Sequence, residues 1–125
     1  MGMYTELIFG AALKSDTPKE VIETLQYMSG YTEEKPEQYL WNEDLRNPLQ
    51  GGSSYFAIDK PVTKMYHDGY RWVLSSRSNI KNYNDEIETF LKWIKPFIGD
   101  GSGLREMYAI VIHEEWEEPE IYFSL

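Results

Sequence analysis

Apolar side chains recur at alternate positions from Leu7 through Phe9 and Ala11 to Leu13, while Tyr4, Glu6, Ile8, Gly10 and Ala12 occupy the other phase. Successive side chains of a strand point to opposite faces, so this stretch predicts a first strand with one buried and one mixed face. The period then changes. In "SDTPKEVIETLQYMSG" the apolar residues Val21, Ile22, Leu25 and Met28 fall at helical spacing. Asp16 or Thr17 is placed to cap that helix, Pro18 suits its first turn, and Gly30 suits its end.

Tyr70, Trp72 and Leu74 share one phase of "YRWVLSSRS", and Arg71, Val73, Ser75 and Arg77 share the other, which predicts another strand. Tyr83, Ile87, Phe90, Leu91, Ile94, Phe97 and Ile98 form one stripe of a second helix. Asn82 is its natural N-cap, with Asp85 reaching back. Glu88 and Lys92 are four apart and suited to pair, and Pro96 marks an end or kink. "EMYAIVIHEEW" is apolar on both phases, as a central strand should be, and Pro119 permits a turn into a last strand, "IYFSL". "SYFAID" reads as a short strand and residues 60 to 69 as a loop closing on Asp68-Gly69.

Residues 31 to 53 break these periods with Pro36, Pro48 and Gly51-Gly52, yet carry Tyr39, Leu40, Trp41, Leu45 and Leu49. They predict an insertion with a short helical turn near Glu37 to Asp44, pinned by Trp41. The element order strand, helix, strand, strand, helix, strand is that of the ferredoxin-like β-α-β-β-α-β arrangement. The expected fold is therefore α+β: an antiparallel sheet with two helices on one face, an extra C-terminal strand, and a single domain over 1–125.

Composition narrows the function classes. The 125 residues include 21 acids against 12 Lys and Arg, for a net charge of -9, and aromatics make up 15%. Nucleic acid is a poor partner for such a charge, because binding it depends on cations displacing counterions. With no cysteine, thiol nucleophiles, disulfides and thiolate-bound metals are excluded. No apolar run approaches the length of a membrane span, and the first residues lack a basic signal-peptide region, so the expected location is the cytoplasm without membrane contact. Phosphate-loop, dinucleotide, nucleophile-elbow and H-E-x-x-H motifs are all missing, and no cofactor is implied.

"SNIKNYNDEIETFLKWIKPF", with "SSYF" before it and "HEEWEEPEIYF" after it, resembles a family of small bacterial and phage-borne single-domain proteins of uncharacterised function. The similarity covers roughly residues 53 to 125. It implies no activity and transfers no catalytic residue.

Two function classes follow. The leading expectation is a non-enzymatic binding or interaction module. It would contact a protein partner or its own copy through the sheet face away from the helices, with Tyr39, Trp41 and Lys81 as further contact residues. Lys81 is included because a cation before a helix N-terminus opposes the dipole unless it neutralises something there. The rival is a small enzyme or small-molecule binder. If Leu7, Phe9, Trp72, Leu74, Tyr108, Ile110 and Ile112 face the helices, then Glu6, Arg71, Arg77 and His113 share the other face, and arginine forks suit carboxylate or phosphate. His113 beside a run of glutamates raises metal binding or proton transfer, but strand neighbours point apart, and no metal site is expected.

Overall fold

Strand β1, Thr5–Ala12, buries the phase that the sequence singles out: Leu7 and Phe9 are almost wholly buried, with Gly10 exposed between Phe9 and Ala11. In this computed structural model, which describes residues 3–52, 60–99 and 103–125, β1 is the centre of a five-stranded antiparallel sheet. The other strands are β2 (Val62–His67), β3 (Trp72–Ile80), β4 (Met107–His113) and β5 (Glu120–Phe123), in spatial order β2-β3-β1-β4-β5. Helix α1 (Lys19–Met28) follows β1, and helix α2 (Glu86–Ile94) follows β3. The chain is thus α+β, with one antiparallel sheet and two helices.

The register fixes which residues share a face. Leu7 lies opposite Ser78 and Val111, and Phe9 opposite Ser76 and Ala109. Those inward positions join Val21, Leu25 and Met28 of α1 and Ile87, Phe90, Leu91 and Ile94 of α2 in one core. Phe9 meets the Phe90 ring edge-on at 5.7 Å and the Tyr108 ring at 6.1 Å.

Both helices begin and end for local reasons. In α1, Pro18 stands at the N-cap without a side-chain cap, because the Thr17 hydroxyl donates to the Lys14 carbonyl instead. At the other end Gly30 has φ +81°, while Tyr31 N–H donates to Gln26 and Gly30 N–H to Tyr27. This closing turn uses the left-handed backbone that glycine adopts without strain. In α2, Asn82 Oδ1 accepts from Ile87 N–H, and its amide donates to Glu88. The N-cap position itself belongs to Asp85, not to the expected Asn82; Asp85 takes the left-handed backbone at φ 56° and does no capping with its side chain. Glu88 is therefore held by Asn82 rather than by Lys92. Lys95–Phe97 continue as a short 3-10 turn, with Pro96 inside it.

Three local expectations change. Residues 31 to 52 contain no helical turn; they run as a strap of bends and turns over the helices and the inner side of β3. Side chains elsewhere satisfy the strap's backbone, which removes the need for helix. Thr24 Oγ1 accepts from Leu40 N–H, Asn47 Nδ2 donates to the Met28 carbonyl, Ser78 Oγ donates to the Pro48 carbonyl, and Thr63 Oγ1 donates to the Leu49 carbonyl. This also explains why Ser76, Ser78 and Thr63 face inward: they sit where a polar strap crosses. Gly51 accepts from Asn79 N–H, and a Cβ on it would lie 2.0 Å from Ile80 Cγ2 and 2.5 Å from the Asn79 carbonyl oxygen.

Second, Val62–His67 within the expected loop form the edge strand β2, with Thr63 and Met65 on the inner face. The expected strand "SYFAID" lies outside the described residues, as do residues 100–102 of the glycine-rich turn. Third, β4 is in the opposite phase. Ala109 and Val111 point inward, and Ile110 and Ile112 outward, because the pairing with β5 shifts between Met107 and Ala109. This bulge places Tyr108 inward as well, against Phe9 and Tyr122.

Candidate functional site

The outer face of the sheet lies away from the core that the two helices share. The register gathers on it Val62, Lys64 and Tyr66 of β2, Val73, Ser75 and Arg77 of β3, Ile8 and Gly10 of β1, Ile110 and Ile112 of β4, and Ile121 of β5. Val62, Tyr66, Met107 and Ile121 are each about half exposed. Exposed apolar groups that adjoin one another, rather than lie scattered, mark contact surfaces.

The face is not uniform. Towards one end, Glu6 and Asn79 are buried, and Arg77 Nε donates to the Glu6 carboxylate there. Towards the middle, Gly10 lies opposite Ser75 and presents no side chain; a Cβ added to it meets nothing within 4 Å. The result is a shallow cavity of about 280 Å³ bordered by Ile8, Gly10, Ser75, Met107 and Ile110. Among the strand residues that the register places on this middle region, Lys64 is the one that carries a charge.

The four residues expected to share an anion separate. Glu6 and Arg77 are bound to each other. Arg71 precedes β3, six residues before Arg77 along the chain, or roughly 20 Å in extended strand. There its backbone N–H donates to Asp68 Oδ1, and its Nε is buried without a hydrogen-bond partner. His113 lies opposite Thr5 on the inner phase, at the far end of β4. Its Nδ1 accepts from Glu115 N–H, as His67 Nδ1 accepts from Gly69 N–H, so both imidazoles close turns. Among the described residues no group of three or more His, Asp or Glu side chains is placed to hold a metal ion, and no helix is long and apolar enough to cross a membrane.

The expected contact residues are partly absorbed by packing. Trp41 is buried against Phe90 and Trp93, at 6.0 and 6.5 Å between ring centres. Tyr39 lies edge-on to Tyr27 at 5.2 Å, with Lys35 over its ring, and burial first, then the neighbouring Tyr27, push its hydroxyl above the ordinary tyrosine pKa. Lys81 lies over the Tyr4 ring at 5.8 Å, which accounts for a cation in that position without an anion at the helix.

One buried charge belongs to the strap. Glu86, fully buried at the start of α2, accepts from Arg46 N–H at 3.1 Å, Asn84 N–H at 3.0 Å and Arg46 Nη1 at 3.3 Å. Burial raises its pKa, but the Arg46 and Asn84 N–H groups outweigh burial and hold the carboxyl below the usual glutamate value. Its role is to fasten the strap to α2.

No family model, curated protein or solved structure matches this chain.

Proposed function

We propose that the chain is a non-enzymatic interaction module of the ferredoxin-like type that self-associates, the exposed middle of the sheet docking on the same region of a second copy. The order β2-β3-β1-β4, antiparallel throughout, supports the ferredoxin-like reading, with β5 added beyond β4. The observation that carries the docking reading is the Gly10 hollow and its apolar border. A self-complementary face needs both recess and projection, and here the hollow adjoins half-exposed Met107, with Tyr66 and Ile121 on the flanking strands. Charge agrees: in a protein of net charge -9, this region carries one lysine and no carboxylate of its own outside the Glu6–Arg77 pair.

Five strands about 4.8 Å apart, crossed by three outward rows, give roughly 500 Å² per copy, or about 1,000 Å² in total. That is the lower end of specific interfaces, so the dimer is weak, in the micromolar range or above. Two copies repel at long range, so added salt strengthens it.

Sedimentation velocity over a concentration series tests this. The protein shifts from monomer to dimer, and Gly10→Glu, whose Cβ meets nothing within 4 Å, stays monomeric at unchanged melting temperature. A wild-type monomer at every concentration and salt level removes the reading.

A further inference from the structure

At the end of the sheet where β1 finishes, two cavities share Lys14. One, of about 580 Å³, is bordered by Lys14, Lys92, Lys95, Ile98, Leu104 and Ser124. The other, of about 300 Å³, is bordered by Lys14, Lys19, Arg71, His67, Ser15 and Thr17. Among the described residues no Asp or Glu side chain borders either cavity, whereas Lys14, Lys19, Arg71, Lys92 and Lys95 do.

Among the described residues the ion pairs are Lys19–Glu23, Lys35–Glu43, Arg46–Glu86 and Arg77–Glu6, so of the five only Lys19 is in an ion pair, and Arg71 lies in the field of the Asp68 carboxylate. Lys92 loses its helical partner because Asn82 holds Glu88. Arg71 is positioned by Asp68, which accepts from the Arg71 and Tyr70 backbone N–H groups, yet its guanidinium Nε stays buried and unpartnered. Complementing the negative end of α2 would account for Lys92 and Lys95, but not for Lys14 or Arg71.

We infer that these two cavities on either side of Lys14 bind a small phosphorylated molecule, with Lys14 common to its anionic groups. Lysine ammonium groups suit phosphate as point charges, and the Arg71 fork suits paired phosphate oxygens. Ser15 and Ser124 add hydroxyl donors. The protein's overall charge opposes an anion at long range, but that field is screened beyond about 8 Å at physiological salt, so the bordering cations set the local potential.

Titration calorimetry with inorganic pyrophosphate at fixed ionic strength, with citrate as the carboxylate counterpart, tests this. Pyrophosphate binds below ~1 mM, and Lys14→Gln and Arg71→Gln each weaken it at least tenfold, whereas Lys64→Gln, an equal change of net charge on the outer face, changes it less than twofold. No heat at millimolar pyrophosphate overturns the site. So does an equal loss in Lys64→Gln, and citrate binding as tightly as pyrophosphate overturns the phosphate assignment. Gly10→Glu retains binding, so this result and the dimer result fail independently.

Discussion

Each face of the sheet carries residues that the simplest rule of burial would put on the other. The inner face carries Thr63, Ser76 and Ser78, and the outer face carries Val62, Ile8, Met107, Ile110 and Ile121. The inner polar groups are there because a strap of irregular backbone crosses that side and requires donors and acceptors. The outer apolar groups have no such covering element among the described helices. Polarity on a strand therefore reports what lies against it, not only whether it is buried.

Four changes would break or sharpen that contrast. The largest effect is expected from Gly51→Ala, whose Cβ would collide with Ile80 and the Asn79 carbonyl and lift the strap from β3. Overpacking against backbone should cost about 2–3 kcal/mol in urea unfolding. Glu86→Gln comes next. It removes charge-assisted bonds from Arg46 and Asn84, so about 1–2 kcal/mol should be lost at pH 7. Because the folded pKa lies below the unfolded value of about 4.3, this stability is fully present above that value and lost as pH falls through the folded pKa. The gap between wild type and variant should hold between about pH 6 and 8 and close in acid, and a gap unchanged at about pH 3 would contradict the assignment.

Asn82→Ala should cost about 1 kcal/mol by freeing the Ile87 N–H, and it should also release Glu88 towards Lys92, weakening pyrophosphate binding. The smallest stability effect belongs to the outer face. Gly10→Glu should leave the unfolding midpoint within about 0.5 kcal/mol of wild type while abolishing self-association.

Much of this architecture is legible in the residues. The β1 alternation, the α2 stripe and the Gly30 stop are local signals, and each is decided within a few residues. The phase of β4 is not local. "MYAIVIH" is apolar on both sides, so its pattern has no preferred phase, and the bulge after Met107 decides it. The assignment of Ile110 to the interior and of His113 to the outer face changes with that single irregularity. β2 is hidden for another reason: as an edge strand it needs few apolar residues, and Lys64 and His67 disguise it. The basic cavities unite Lys14, Arg71 and Lys95, residues far apart in sequence, so no spacing rule reveals them.

The strap's attachments have a kinetic consequence. Leu40, Arg46 and Leu49 amides are each held by a side chain, from Thr24, Glu86 and Asn47 respectively, rather than by a repeating ladder. Such a segment has no end from which to fray. Its amide protons should exchange with solvent at one shared rate, as a unit that opens below the global unfolding free energy, while the β1 amides wait for the whole molecule.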